Sequence, residues 1–186
     1  MNKGYLQAST CKESDECLTP RYGILPIIPY LRARGYKNIW CLFDKLDSQY
    51  VRILKANEFV VIATHISVKG EDFFEMKTPK NIDCIVSNPP FSCKTKVLKK
   101  LYELNIPFAI LLPQNALQAV NRVPLYIENG LEYLGFDRRI NFYTRRELDA
   151  WKGSVSFANG YFCKNVLPEK LIFEKLTPIQ ENYYEH

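Results

Sequence analysis

A strand that ends in two prolines limits the folds open to this chain more than any other segment. Residues 82–87 (IDCIVS) carry apolar side chains on both faces, which is typical of a strand buried inside a parallel sheet. The next residues are Asn88-Pro89-Pro90-Phe91, and neither proline can donate a hydrogen bond to a sheet. The sequence therefore predicts an amide, a rigid turn and an aromatic ring at the carboxyl end of a buried strand, where open α/β sheets bind ligands.

These four residues suit methyl transfer to a planar amine. The amine of adenine is a poor nucleophile because its lone pair is delocalised into the ring. Two acceptors aimed at its hydrogens, the Asn88 side-chain oxygen and the Pro89 carbonyl, would localise that lone pair, and the prolines would hold both acceptors in place. Phe91 would stack on the base. The alternative interpretation is a strand that ends in a Pro-Pro turn with a packed phenylalanine.

The segment Asn88–Phe91, preceded by an Ile-Asp-x-Ile-Val strand, resembles the catalytic motif of amino-methyltransferases that use S-adenosylmethionine (SAM). The resemblance is to N6-adenine DNA methyltransferases, in the small form carried by phages and mobile elements. It extends loosely over roughly residues 17–175. It implies that Asn88, Pro89, Pro90 and Phe91 are catalytic. The motif does not distinguish DNA, RNA or protein glutamine as the methyl acceptor.

Strands alternate with helices along the chain, which predicts βαβ units and a parallel sheet. The predicted strands are 38–43, 59–66, 82–88 and 107–113, followed by about 138–143, 160–165 and 170–176. The predicted helices are 20–34, 48–57, 95–104 and 117–129. With the resemblance, this pattern implies an α/β, Rossmann-like SAM-methyltransferase fold. Its central sheet is expected to be mostly parallel, with helices on both faces and an antiparallel C-terminal hairpin.

The length of 186 residues predicts one domain, which we place at 17–176. Residues 1–16 are interpreted as an N-terminal extension and residues 177–186 as a C-terminal tail. No separate recognition domain is expected, so sequence recognition would depend on loops such as 144–159. The chain has no apolar run of membrane-spanning length and its first residues do not resemble a signal peptide, so we expect a cytoplasmic protein without a membrane partner.

The resemblance also implies a set of residues that hold SAM. Thr19 and Pro20 match a Thr-Pro segment that contacts the SAM carboxylate, although Thr-Pro is also an ordinary helix start. Phe43 and Asp44 follow the first strand, and Asp44 would bind the SAM ammonium group. The turn there has no glycine, unlike the usual pattern. The remaining cofactor residues follow the second strand and would bind the nucleoside; they are His65, Asp72 and Phe73.

Each of these nucleoside residues has a structural alternative. A histidine at a strand end is a weaker ribose anchor than the usual acid and is often only structural. Asp72-Phe73 equally fits an acidic turn followed by a core phenylalanine.

Basic residues are concentrated in two parts of the chain, which has a net charge of +5. Backbone phosphates bind basic groups and unstacked bases bind aromatic rings, so this pattern predicts a nucleic-acid groove. Lys94 follows the proline motif, where a solvated helix face is an equal alternative. The other predicted contacts lie in the last third, among aromatic residues; they are Arg138, Arg139, Arg145, Arg146 and Lys152. DNA is the expected partner, and RNA is the alternative.

The cysteines predict free thiols rather than disulfides or a metal site. Six cysteines are present, but no Cys-x-x-Cys pair occurs and the chain has only two histidines. No metal is therefore expected.

The hypothesis from sequence is a SAM-dependent enzyme that methylates the N6 amine of adenine in DNA, after the base is extruded from a duplex. One alternative keeps the chemistry and changes the acceptor to RNA or protein glutamine. Another is a catalytically silent protein of the same fold that binds nucleic acid or a protein, for example a phage-encoded inhibitor of host defence. The glycine-free turn after the first strand motivates this second alternative.

Overall fold

The computed structural model describes residues 17–144 and 157–177. Nine strands and five α-helices are found there, joined by short 3₁₀ turns. The strands are β1 (Cys17–Leu18), β2 (Asn38–Leu42), β3 (Val60–Thr64), β4 (Cys84–Ser87), β5 (Phe108–Pro113), β6 (Glu132–Phe136), β7 (Tyr143–Thr144), β8 (Asn159–Lys164) and β9 (Leu171–Glu174). The helices are α1 (Arg21–Ile24), α2 (Ile28–Ala33), α3 (Gln49–Ala56), α4 (Lys94–Leu104) and α5 (Val123–Asn129).

Seven strands form one central sheet in the order β3-β2-β4-β5-β8-β6-β9. Strands β3, β2, β4 and β5 are mutually parallel, and β8 runs antiparallel to both of its neighbours, β5 and β6. Strand β9 is parallel to β6. The predicted fold class is confirmed: the chain has an α/β, Rossmann-like fold, with a mostly parallel sheet and an antiparallel part near its C-terminus.

The order of the strands reverses between β2 and β4. The chain leaves β2 for β3 at one edge of the sheet and then returns to place β4 on the other side of β2. At such a switch point the connections diverge and leave a crevice at the carboxyl ends of the strands. The residues that follow β2 and β4, Phe43-Asp44 and Asn88-Pro89, therefore lie on the two sides of this crevice.

Helices cover both faces of the sheet, as predicted. On one face, Val51 and Leu54 of α3 pack with residues of α1, α2 and the sheet in one buried cluster. On the other face, Val97, Leu98 and Leu101 of α4 pack in a second cluster. Helix α3 begins where the sequence predicts, because the Ser48 hydroxyl accepts a hydrogen bond from the Val51 backbone N–H at 3.3 Å.

Two predicted elements differ from the observed ones. The strand predicted at 138–143 is wrong. A strand lies instead at Glu132–Phe136, and of the predicted segment only Tyr143 is in a strand, the short β7, which pairs with β1. The sequence does not predict this strand at Glu132–Phe136 because it contains Gly135, and glycine weakens strands. Gly135 is tolerated because the Phe173 ring covers it, and a Cβ there would lie 2.5 Å from that ring.

The helix predicted at 117–129 is shorter than expected. A 3₁₀ turn covers Gln114–Leu117, and α5 begins only at Val123. Pro124 lies in the first turn of α5, where backbone N–H groups have no partner within the helix, so the missing N–H of proline costs no hydrogen bond. The guanidinium of buried Arg122 holds the intervening loop, donating to the carbonyls of Asn115, Ala116 and Gln118.

The described part of the chain has neither a membrane-spanning helix nor a cluster of metal ligands. No helix within 17–144 and 157–177 has the length and apolar character needed to cross a bilayer. The same part of the chain contains no group of three or more His, Cys, Asp or Glu side chains placed to hold a metal ion. Cys41, Cys84 and Cys163 are buried free thiols in the core.

Candidate active site at the sheet switch point

Asp44 and the end of β4 are joined by hydrogen bonds across the switch point. The Ser87 hydroxyl donates to Asp44 Oδ2 at 2.7 Å and also contacts the Leu42 carbonyl. A hydroxyl has one hydrogen, so Ser87 donates to one of these two oxygens at a time. Ser87 therefore links the turn after β2 to the end of β4.

Burial raises the pKa of Asp44 to about 7, and hydrogen bonds from Ser87 and Ser48 oppose this shift. The cause is the loss of hydration of the carboxylate in this crevice. A cation bound beside Asp44 would stabilise the charged form. The structure therefore provides a buried carboxyl group that favours a cationic ligand.

The turn after β2 takes a backbone conformation that usually requires glycine. Phe43 has a φ of 60°, in the left-handed region, which disfavours a side chain by about 1 kcal/mol. Its ring packs edge-on against Phe73, with centroids 5.4 Å apart, and against Phe74. Phe43 thus adopts a backbone conformation typical of glycine, and the packing of its ring holds the turn in place.

Asn88 is held by Thr19, so two predicted site segments that lie far apart in sequence meet here. Asn88 Nδ2 donates to Thr19 Oγ1 at 3.1 Å, and Thr19 is buried. This bond fixes the plane of the Asn88 amide with Oδ1 turned away from Thr19. Pro20, also buried, begins α1, with its carbonyl bonded to the Gly23 N–H at 2.9 Å.

A chain of buried hydroxyls continues from Thr19 into the core. Burial raises the pKa of Tyr50 well above its ordinary value, and a hydrogen bond from Thr19 opposes that shift. The Tyr50 and Tyr161 hydroxyls lie 2.9 Å apart, and Tyr161 donates to the Gly23 carbonyl at 2.9 Å. Because each hydroxyl donates to the next, the chain has one consistent direction from Asn88 to Gly23. It makes the position of Asn88 depend on α1, α3 and β8 together.

The proline turn leaves one carbonyl available. The Pro90 carbonyl accepts from the Cys93 N–H at 3.2 Å, and the Phe91 carbonyl accepts from Lys94 Nζ at 3.1 Å. The Pro89 carbonyl accepts no hydrogen bond within residues 17–144 and 157–177. Pro89 therefore retains the acceptor that the sequence interpretation assigned to it.

Phe91 lies in an aromatic cluster beside the motif. Its ring contacts Phe142 and Phe157 in perpendicular arrangements, with centroids 6.0 Å and 5.5 Å apart. Phe91 remains partly exposed, whereas Phe142 is buried. The cluster positions an aromatic ring next to Asn88, and stacking of Phe91 on a base stays a prediction.

Beyond β3, the structure places the predicted nucleoside residues in two tight turns. The His65 ring accepts from the Ser67 N–H at 3.1 Å and bonds the Ser67 hydroxyl, so it closes its own turn. Asp72 Oδ1 accepts from the Phe74 N–H at 2.8 Å and caps the second turn. Phe73 is a core residue, 2% exposed.

Two residues next to the predicted cofactor-binding residues were not themselves predicted as part of the site. Glu71 Oε2 accepts from the His65 N–H at 2.9 Å, which brings a carboxylate to the end of β3. Arg21, directly after Pro20, has a buried Nε without a hydrogen-bond partner among the described residues. A basic side chain beside the Thr-Pro segment was visible in the sequence, but its buried, unpaired nitrogen was not.

The predicted nucleic-acid residues divide into three groups. Lys94 is partly buried beside the motif. Arg138 and Arg139 are exposed just after β6, at the same sheet edge as Asn88, and Arg138 pairs with Asp137 at 3.1 Å. Such surface pairs are weak and leave the guanidinium able to exchange partners. The remaining three predicted contacts lie outside the described residues; they are Arg145, Arg146 and Lys152.

Comparisons with known proteins give a structural similarity but no match by sequence. By sequence, no protein-family model and no curated protein matches the chain. By structure, the chain is similar to a protein described as a predicted O-methyltransferase from Agrobacterium tumefaciens, with a TM-score of 0.39 and 9% sequence identity. The match covers 91% of this chain and 80% of that chain. A similarity at this level does not bear on activity or substrate.

Proposed function

We propose that this protein is a SAM-dependent amino-methyltransferase whose acceptor is the N6 amine of adenine in DNA. The observation that carries the proposal is the position of Asn88. Its amide is fixed by Thr19 at the switch point, beside the acceptor carbonyl of Pro89 and across from the buried carboxyl of Asp44. These are the groups that amine activation and binding of a cationic cofactor require.

The residues around the crevice fit SAM in charge and position. The Asp44 carboxyl would bind its ammonium group, and the unpaired Arg21 Nε beside Thr19-Pro20 would bind its carboxylate. Glu71 and Asp72 lie on the side of the nucleoside, beyond β3. When bound, SAM supplies a methyl group activated by a sulfonium.

The acceptor amine is activated by two hydrogen bonds. Asn88 Oδ1 and the Pro89 carbonyl accept the two amine hydrogens and shift the nitrogen toward tetrahedral geometry. With SAM bound, the nitrogen would attack the methyl carbon in line, forming the N–C bond as the S–C bond breaks, and the amine would release one proton to water. The rigid proline turn keeps both acceptors in position, so little reorganisation accompanies the reaction.

A nucleic acid, rather than a protein glutamine, is the acceptor class that the surrounding groups favour. Lys94, Arg138 and Arg139 provide positive charge at this edge of the sheet, and phosphates bind such groups. Phe91 is a partly exposed ring next to Asn88, suited to contact a base removed from the duplex stack.

A second candidate is a protein of the same fold that binds nucleic acid or a protein without catalysis. The observation that favours it is the commitment of the His65 ring to its own turn, together with the strained Phe43 in place of glycine. In that case Asp44 would have no cationic ligand.

An assay with labelled methyl groups on SAM tests the acceptor. Duplex DNA, single-stranded DNA, RNA and a glutamine-containing peptide are supplied side by side at equal concentration. We expect label in DNA, recovered as N6-methyladenine, and more with single-stranded DNA because no base has to be extruded. Label only in RNA or peptide would reassign the acceptor, and no label in any of them would favour the second candidate.

A further inference from the structure

Asn159, the first residue of β8, is a buried amide without hydrogen-bond partners. The residue is 3% exposed, and within residues 17–144 and 157–177 neither its Nδ2 nor its Oδ1 is hydrogen-bonded. Buried amides are almost always paired in folded proteins, because an unpaired one loses its hydration without compensation. An orphaned amide of this kind is therefore a candidate for ligand binding.

The fold places Asn159 at the same edge and on the same face as the active site. Asn159 is paired with Pro113, the last residue of β5, so it lies at the carboxyl edge of the parallel strands. Side chains alternate along a strand, so Asn159 shares a face with Tyr161, whose hydroxyl belongs to the chain that leads to Asn88. Its neighbour Phe157 contacts Phe91, with ring centroids 5.5 Å apart.

The separation of the two amides suits a ligand that lies between them. Ser87 is level with Ile110 on β5, and Asn159 is level with Pro113, two strands away from β4. Standard strand spacings then put the Cα atoms of Asn88 and Asn159 about 12 Å apart. Two asparagine side chains at this separation on one face can both reach a single planar base, one at its amine and the other at a ring nitrogen.

We propose that Asn159 recognises the methyl acceptor, with its Nδ2 donating to a ring nitrogen of the adenine whose amine Asn88 activates. This inference rests on the proposed function and adds a specificity residue to it. The amine hydrogens are taken by Asn88 and Pro89, which leaves the ring nitrogens as the acceptors of the base. A donor from a second amide would orient the ring in its plane and favour a base that has such a nitrogen.

The test combines protein variants with altered bases. Single-stranded oligonucleotides carry adenine, or its 1-deaza, 3-deaza or 7-deaza analogue, at one site and are methylated by wild-type protein, by Asn159→Leu and by Asn159→Ala. Asn129→Leu is the control, because Asn129 only caps its own helix, at the Leu125 carbonyl. Melting temperatures are recorded for all four proteins.

We expect both Asn159 variants to lose about 10- to 100-fold in kcat/KM on adenine while melting no lower than wild type, since no hydrogen bond within the described chain is removed. Wild type should show a similar loss on one of the three deaza bases, and Asn159→Leu should show no additional loss on that base. Asn129→Leu should match wild type in activity.

The results of this test distinguish a failure of the role proposed for Asn159 from a failure of the proposed function. If wild type methylates adenine and the Asn159 variants do so equally well, the inference is overturned while the function stands. The same holds if the variants are inactive only because they melt much lower, which would show that Asn159 has a structural partner such as a buried water. If wild type methylates none of the bases, both fail.

Discussion

Replacing Asn88 by alanine is expected to reduce kcat for methyl transfer by at least about 100- to 1,000-fold while SAM binding stays close to that of wild type. The alanine removes a preorganised acceptor of the amine hydrogens, and removing one such group has effects of this size in other enzymes. Because Asn88 itself is not among the groups proposed to bind SAM, the affinity for SAM should change little. Single-turnover rates and calorimetric titration measure the two quantities separately.

Asn88→Asp is the matched control. A carboxylate at position 88 still accepts hydrogen bonds, and Thr19 can reverse its hydroxyl to donate to it. Asn88→Asp should therefore retain measurable transfer where Asn88→Ala does not. Wild-type kcat in Asn88→Ala would contradict the activation of the amine by Asn88, and equal loss in both variants would point to a role limited to packing.

Replacing Asp44 by asparagine should make the protein more stable at pH 8 and weaken its binding of SAM. The pKa of Asp44 is raised to about 7 from an ordinary value of 3.8, so between these pH values the folded state holds a proton that the unfolded state has released. Stability contributed by the protonated form is therefore lost as pH rises toward 7. Between pH 5 and pH 8 the loss amounts to as much as about 3 kcal/mol.

Urea denaturation at pH 5 and pH 8 tests the stability part of this prediction. The free energy of unfolding of wild type should fall between these pH values by more than that of Asp44→Asn, because the amide does not titrate. Parallel pH dependence in the two proteins would show that Asp44 is an ordinary carboxylate.

The binding of SAM should show the opposite trend with pH. Raising the pH from 6 to 7.5 ionises Asp44 and should strengthen SAM binding by wild type, because the carboxylate pairs with the ammonium group. Asp44→Asn should bind SAM at least about 10-fold more weakly, with a smaller pH dependence. Stronger binding by Asp44→Asn would place the ammonium group elsewhere.

The local features of the site could be predicted from sequence, and the contacts between them could not. The apolar run before Asn88 and the two prolines after it determine a strand and its end within a few residues, so that prediction is confirmed. The contact between Asn88 and Thr19 joins segments 69 residues apart and depends on how α1 packs on the sheet. The resemblance named both residues but did not predict their hydrogen bond.

The missed residues share a physical cause, which is that their environment is set by distant parts of the chain. Glu71 reaches back six residues to the end of β3, and Phe43 occupies a left-handed conformation that its side chain alone would not predict. In the sequence, Asn159 is an ordinary polar residue near a loop. Only the folded structure shows that its amide is buried and has no hydrogen-bond partner among the described residues.

Whether this protein has a working SAM site is decided by a calorimetric titration of the purified protein with SAM and with its demethylated product, with and without DNA. We expect micromolar binding of both ligands, held by Asp44 and the Thr19–Arg21 segment at the switch point. Absence of binding at millimolar cofactor, including in the presence of DNA, would contradict a working cofactor site and make the non-catalytic binding protein the better account.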